Sequence, residues 1–169
     1  MGISLALNLS RNPAIVIAAQ HKASLQVEKL SSIENWVTNQ IKQLRAITDR
    51  PIIVRPHPRS PLQKFTTDKN ITIEQPVRDK NTYDSYNLAF DCYAMVNYNS
   101  GPGIQAALAG TRPLVDQTSL AHPVGISLND LEQPYNVDRD QWLIEICHTE
   151  YTLKELEQGL WIQRIQSAL

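Results

Sequence analysis

Residues 93–115 read YAMVNYNSGPGIQAALAGTRPLV, and this stretch decides the fold. It opens with an apolar run over Tyr93–Asn97, which is typical of a strand covered on both faces. The Ser-Gly-Pro that follows is typical of a helix start, and it predicts a helix over Gly101–Ala109 that ends at Gly110. A second apolar run, Pro113–Val115, predicts another strand. Two strands joined by a helix form the crossover unit of a parallel sheet.

The rest of the chain repeats this alternation. Short runs rich in Val, Ile and Ala predict three earlier strands, at Ala14–Ala19, Ile52–Arg55 and Ile71–Glu74, and a weaker sixth strand at Val124–Ser127. Right-handed crossovers with a reversal after the third strand give the strand order 3-2-1-4-5. The predicted fold class is α/β: a single Rossmann-like domain with a parallel sheet of five or six strands and a C-terminal helical tail.

Periodicity and capping residues place the helices. The clearest helix covers Ser32–Thr48, where Ser31 and Glu34 form a predicted capping box. A second predicted box, Thr152 with Glu155, lies in the tail. We expect residues 1–135 to form the Rossmann-like domain and residues 136–169 to form a tail packed on that domain. The other predicted helices are Asp84–Phe90, Asp138–His148 and Leu160–Leu169.

The composition excludes several classes of protein. The net charge is −1, and the charged residues, 20% of the chain, mix both signs, so neither nucleic-acid binding nor a polybasic membrane anchor is indicated. No apolar run approaches the roughly 18 residues of a membrane span, and Met1–Leu9 lacks the features of a signal peptide. Cys92 and Cys147 fall in predicted elements, so we expect reduced core thiols and a cytoplasmic protein.

The predicted strand order brings three loops to one crevice. Ligands of open α/β sheets bind at the carboxyl edge of the strands, where the strand order reverses. The loops after the first, second and fourth strands should therefore meet. Their polar residues are Gln20, His21 and Lys22 in the first loop, Arg55, His57 and Arg59 in the second, and Asn99, Ser100 and Gly101 in the third.

The second loop, Arg-Pro-His-Pro-Arg, suits a phosphate. Each proline biases the preceding residue, Arg55 or His57, towards an extended conformation. Arginine binds phosphate in a bidentate manner, and His57 could donate a hydrogen bond or act as acid or base. The alternative is a proline-rich turn whose arginines pair with nearby carboxylates.

The third loop opens a helix. Ser100 is expected to cap the following N–H groups, and Gly101 and Gly103 would let an anion approach the backbone. The segment matches neither the Walker loop nor the dinucleotide-binding fingerprint, so a capped helix without a ligand is the alternative.

A further acidic residue, Asp116, ends the fifth strand and could meet a ribose or sugar hydroxyl, or could form a turn. His122, in the loop after that strand, could also line the crevice. The histidines have no metal-ligand spacing, so no metal site is predicted.

These residues resemble a known family. Arg-Pro-His-Pro after a strand, the segment Asn97–Val115, and the tail segments Asp138–Leu143 and Tyr151–Trp161 are similar to the second domain of GT-B-type glycosyltransferases of the capsular-polysaccharide and Kdo-transferase kind, including phage-encoded and bacterial members. The likeness spans about Ile15–Trp161.

The resemblance implies a donor-binding site for a nucleotide-activated sugar, with the nucleotide-sugar as substrate and no other cofactor. By position, Arg55, His57 and Arg59 would face the phosphates, with His57 as the candidate catalytic residue. Ser100 and Gly101 would hold the phosphates at the helix start. Enzymes of this kind have two such domains, so an acceptor-binding partner chain or a homo-oligomer is implied.

The function therefore has alternatives. The first is a glycosyltransferase or the donor-binding half of a two-part enzyme. The second is a non-catalytic module that binds a nucleotide or nucleotide-sugar. A third is another phosphosugar enzyme, such as an epimerase-like protein, on the same architecture.

Overall fold

A computed structural model describes residues 12–27, 30, 32–62, 70–75, 91–149 and 151–168. The chain forms two compact units that divide between Asn136 and Val137. This division lies one residue from the boundary expected from the sequence. The predicted helix Asp84–Phe90 lies outside the described residues, and the packing of the tail on the first unit stays a prediction.

The first unit contains a parallel five-stranded sheet in the order β3-β2-β1-β4-β5, as predicted. In the register of the sheet, Ala18 at the end of β1 lies opposite Arg55 on one side and Asn97 on the other. The carboxyl ends of β2, β1 and β4 are therefore level. The strands are β1 (Ile15–Ala18), β2 (Ile52–Arg55), β3 (Ile71–Ile73), β4 (Ala94–Asn97) and β5 (Arg112–Val115).

Two helices of this unit match the prediction closely. Helix α1 covers Ile33–Arg45 and ends three residues earlier than predicted. Its N-cap is Ser32 instead of Ser31, and the Ser32 side chain accepts a hydrogen bond from the backbone N–H of Asn35, so Glu34 does not stand at the N3 position of the predicted capping box. Helix α2 covers Gly101–Ala109 and ends at Gly110, whose φ of 79° is the left-handed conformation that glycine adopts without strain.

The sheet is covered on both faces. Ile15 and Ile17 of β1 join one apolar core with Val37 of α1, whereas Val16 of β1 joins a second core with Ala106 of α2. Because successive side chains of a strand point to opposite faces, burial on both faces gives a continuous apolar run. All four residues of β1 are accordingly buried.

The predicted sixth strand, Val124–Ser127, is wrong. Among the described residues this region forms short 3-10 turns, His122–Val124 and Leu128–Asp130. Ile126 still donates one backbone hydrogen bond to Pro113 of β5, at 2.9 Å. The N–H groups of Val124 and Gly125 donate instead to the carbonyls of Ala121 and His122 in the 3-10 turn, so no ladder extends from that bond. The segment crosses instead to the face of α1, where Ile126 packs against the larger core.

An ionic cluster closes the opposite, amino-terminal edge of the sheet. The guanidinium carbons of Arg50 and Arg112 lie 3.5 and 4.2 Å from the ring centroid of Tyr93. Glu132 accepts two hydrogen bonds from Arg50, at 2.9 and 2.8 Å. The hydrogen bonds from Arg50 lower the pKa of the Glu132 carboxyl to about 2. This cluster ties the segment after β5 to the residues preceding β2 and β4.

The second unit is helical, as expected. Its helices are α3 (Asp140–Thr149), α4 (Leu153–Glu157) and α5 (Leu160–Ala168). The predicted capping box of Thr152 and Glu155 is present, and Gly159 separates α4 from α5 with a φ of 69°. Across the described ranges, every helix is too short or too polar to traverse a lipid bilayer.

Cys92 and Cys147 are not joined in a disulfide bond, and they differ in environment. Cys92 is buried, and its burial raises the thiol pKa to about 12. Cys147 lies exposed on α3, so its expected place in a core is wrong. An apolar helical pattern does not tell which helical face is covered.

Candidate functional site

Asn97, the last residue of β4, joins three of the elements at the carboxyl edge. Its side chain is 1% exposed. The amide nitrogen donates to the carbonyl of Ala18 at 3.0 Å and to the hydroxyl oxygen of Ser100 at 2.9 Å. The amide oxygen accepts the backbone N–H of Ser100 at 2.8 Å. Asn97 therefore fixes the start of α2 against the end of β1.

Gln20 fixes the loop after β1. Its side-chain oxygen accepts the backbone N–H of Asn99 at 3.3 Å, and its side-chain nitrogen donates to the hydroxyl of Ser24 at 3.0 Å. Because both ends of this buried amide are bonded within the protein, Gln20 acts first as a positioning residue for the loops.

The loop after β2 is a turn held against the loop after β1. The backbone N–H of Ser60 donates to the carbonyl of His57 at 2.8 Å and closes the turn. The hydroxyl of Ser60 in turn accepts the backbone N–H of Lys22 at 3.3 Å. Residues 57–60 therefore form a turn, which is the conformation given above as the alternative for the Arg-Pro-His-Pro segment.

The three loops enclose a cavity of about 340 Å³, which we call the two-histidine cavity. The convergence predicted from the strand order is thus confirmed. Its walls come from the loop after β1, the loop after β2 and the first turn of α2. The lining residues that matter for binding are Gln20, His21, His57, Asn99, Ser100 and Gly101.

The two imidazole rings are fixed in one tautomer. The ring centroids of His21 and His57 are 5.0 Å apart at an interplanar angle of 82°. Nδ1 of His21 accepts the backbone N–H of Ala23 at 3.1 Å, and Nδ1 of His57 accepts the backbone N–H of Arg59 at 3.1 Å. A nitrogen that accepts a hydrogen bond carries no proton, so in each neutral ring the proton is on Nε2. Both rings consequently carry a hydrogen-bond donor on the side away from the backbone.

The predicted cations do not line this cavity. Arg55 is 4% exposed because it is the last residue of a strand inside the sheet, with β1 on one side and β3 on the other. Lys22 and Arg59 are exposed on the neighbouring turns. The structure therefore brings His57 to the helix start without the three positive charges that the sequence placed there.

The start of α2 differs from the predicted cap. Ser100 stands at the N-cap position, but its hydroxyl bonds to Asn97 and makes no capping bond. The N–H of Gly103 bonds to the carbonyl of Ser100 at 3.1 Å, and Pro102 has no N–H. Among the described residues, no hydrogen bond is formed by the N–H of Gly101. This group therefore remains for a ligand at the rim of the cavity.

The two glycines of this start have different roles. A Cβ added to Gly101 would meet no atom within 4 Å, so a ligand can approach the backbone there. A Cβ added to Gly103 would lie 2.8 Å from Cγ1 of Val115. Gly103 is therefore required by the packing of α2 on the sheet, and it does not line the cavity.

Asp116 lies outside the two-histidine cavity. One carboxylate oxygen, Oδ1, accepts hydrogen bonds from the backbone N–H and the hydroxyl of Thr118, at 2.9 and 2.7 Å. This oxygen therefore forms a turn, as in the alternative given above. Asp116 and His122 line a second cavity of about 440 Å³ between α1 and the segment after β5. We call it the aromatic cavity, because Trp36 and Tyr98 form part of its wall.

The sequence patterns do not predict two of the lining residues, Trp36 and Tyr98, and they predict His21 at the crevice without assigning it a role. His21 was placed in the crevice without a role, although its position directly after β1 was a usable signal. The helical spacing of Trp36 is typical of a core or interface residue, and its partial exposure depends on how the segment after β5 returns over α1. Nothing in the sequence around Tyr98 predicts a place in a cavity, apart from its position directly after a strand.

No protein-family model matches this sequence, and no curated protein matches it closely enough to be a relative.

Proposed function

We propose that this protein binds a nucleotide-activated sugar in the two-histidine cavity, as a member of the capsular-polysaccharide kind of GT-B glycosyltransferases that its sequence resembles, found in phages and bacteria. One observation carries the proposal. The loops after β1, β2 and β4 meet at the carboxyl edge of a parallel sheet, where the order of the strands reverses, and they bring two imidazoles to the start of a helix.

The chemistry of the cavity suits a phosphate. The N–H of Gly101 stands in the first turn of α2, a nine-residue helix, where aligned peptide dipoles favour negative charge. The Nε2–H groups of His21 and His57 add two more donors. Donors fixed in place before the reaction stabilise the charge that develops on a departing nucleotide phosphate. In this proposal His57 donates to that phosphate and does not remove a proton, since its Nδ1 is already bonded to Arg59.

We further propose that the chain supplies the donor-binding half of the reaction, and that a partner chain or a second copy supplies the acceptor site. Cysteines without a disulfide bond, such as Cys92 and Cys147, are compatible with the cytoplasm, which we propose as its location.

The test is a thermal unfolding series with CMP-, UDP-, GDP- and dTDP-linked sugars at millimolar concentration. A ligand at a hundred times its Kd stabilises the folded state by about 2.7 kcal/mol, so we expect a rise in Tm of several degrees with at least one of them. His57→Gln should reduce the rise. Arg59→Ala, a change on the same turn outside the cavity, should leave it unchanged.

The outcomes separate the candidate functions. No rise in Tm with any of the compounds would contradict nucleotide-sugar binding. Binding without hydrolysis or transfer, also after candidate acceptors and partner chains are added, would identify a non-catalytic binding module. Turnover of the sugar nucleotide in the absence of any acceptor would identify another phosphosugar enzyme.

A further inference from the structure

The aromatic cavity has no role in the phosphate site, yet it lies at the same edge of the sheet. Its volume of about 440 Å³ falls within the range of roughly 300–1,000 Å³ that is usual for small-molecule sites. We propose that it binds the nucleoside part of the ligand, a planar base with its hydroxylated pentose, while the phosphate occupies the two-histidine cavity. This inference rests on the proposed function.

An aromatic corner forms one wall of the cavity. The ring centroids of Trp36 and Tyr98 are 6.3 Å apart and the rings are nearly perpendicular, at 76°. Both side chains are half-buried, so part of each ring is accessible. Base stacking on an aromatic ring is favourable and tolerates any base, because every base has a π-face. The corner therefore suits a planar heterocycle.

A carboxylate supplies the polar contact. Oδ1 of Asp116 is bonded to Thr118, but Oδ2 makes no hydrogen bond to any residue that the structure describes. A carboxylate oxygen accepts up to two hydrogen bonds, and Asp116 lines the cavity. The hydroxyl groups of a pentose and the amino group of a base are donors of the kind that this oxygen accepts.

The two cavities share a wall, which is the loop between β4 and α2. Tyr98 faces the aromatic cavity, and the next two residues, Asn99 and Ser100, face the two-histidine cavity. A chain of hydrogen bonds also links the two sides. The side-chain nitrogen of Asn99 donates to the hydroxyl of Thr118 at 3.0 Å, and that hydroxyl donates to Asp116 at 2.7 Å. A nucleotide lying over this loop would place its nucleoside on one side and its phosphate on the other.

The test uses phosphate-free nucleosides, with the full chain labelled with ¹⁵N. The chain has three tryptophans, so their indole N–H resonances give three separate signals, and Trp36→Phe assigns that of Trp36. We expect adenosine, cytidine, guanosine, uridine or thymidine to shift the Trp36 signal in a saturable way, and to leave those of Trp142 and Trp161 in place.

Two variants test the role of the carboxylate. Asp116→Asn keeps an oxygen for Thr118 and removes the charge, so nucleoside affinity should fall on the order of tenfold or more, the usual scale for a hydrogen bond to a charged group. Asp49→Asn makes the same chemical change on an exposed residue ahead of β2, at the amino-terminal edge, and should not alter affinity.

The outcomes distinguish this inference from the proposed function. Nucleotide-sugar binding without any effect of nucleosides on Trp36 would overturn the inference alone. Equal nucleoside affinity of the wild type and Asp116→Asn, measured from the Trp36 shift, would overturn the assigned position of the pentose and base. Failure of every nucleoside and every nucleotide-sugar would overturn both proposals.

Discussion

At the scale of single residues, backbone hydrogen bonds decide the chemistry of the candidate site more than formal charge does. His21 and His57 each accept a backbone N–H from the residue two positions later, which fixes the proton on Nε2. The loop sequence suggested a site built on guanidinium groups, but Arg55 is buried at the end of an interior strand. Replacing Arg55 by Ala would thus remove a buried side chain as well as a charge. Its first effect should be a lower free energy of unfolding, so a loss of binding in this variant would not identify a ligand contact.

Gly101 and Gly103 offer a matched pair of substitutions. Gly101→Ala should leave the free energy of unfolding within about 0.5 kcal/mol of the wild-type value, since an exposed Cβ meets no neighbour. It should still weaken nucleotide-sugar binding about tenfold, or about 1.4 kcal/mol, because the methyl group stands at the rim of the cavity. Denaturant unfolding and a binding titration measure the two effects.

Gly103→Ala should instead lower the free energy of unfolding. Its methyl group would overlap Cγ1 of Val115, and overpacking of this kind costs about 1–3 kcal/mol of stability. Equal loss of stability in the two variants would show that the start of α2 is not placed as described.

At the scale of elements, strands and the principal helices follow from sequence, whereas the side-chain contacts of the loops do not. The strand order and α2 follow from apolar runs, Ser-Gly-Pro and Gly110, which are local signals. The apolar residues of segment 124–127 predict a strand, but the N–H groups of Val124 and Gly125 are bonded within the preceding 3-10 turn. The bonds of Asn97 to Ala18 and of Lys22 to Ser60 join residues far apart in the chain, so no local pattern predicts them.

The pair of Arg50 and Glu132 predicts a pH dependence of stability. The Glu132 carboxyl has a pKa of about 2 in the folded protein, below its ordinary value of 4.5, because it accepts hydrogen bonds from Arg50. A carboxyl with a lowered pKa stabilises the folded state above pH 4.5, and this contribution is lost as the pH falls from 4.5 towards 2.

Glu132→Gln should remove that acid-dependent term. The side chain of Glu132 is 41% exposed, so solvent screening reduces the expected loss at pH 7 to about 1 kcal/mol. The difference between wild type and variant should shrink between pH 5 and pH 2 when unfolding is followed by urea titration. Glu157→Gln, an exposed change on α4, serves as the control. A constant difference across this range would contradict the assigned ion pair.

At the scale of the whole molecule, both cavities lie at the carboxyl edge of the first unit, and the ionic cluster of Tyr93 closes its amino-terminal edge. Ligands of open parallel sheets bind at the carboxyl edge, so this position of the cavities is the expected one. The strand order was therefore enough to predict where the two cavities lie. It was not enough to predict which side chains reach them.

The most direct measurement is a titration of ¹⁵N-labelled protein with the nucleotide-sugar that gives the largest rise in Tm. We predict that the amide signal of Gly101 and the imidazole signals of His21 and His57 shift together along one saturation curve with a single Kd. Shifts confined to residues elsewhere in the chain, or curves with different Kd values for the helix start and the two histidines, would contradict a single phosphate site at the meeting of the three loops.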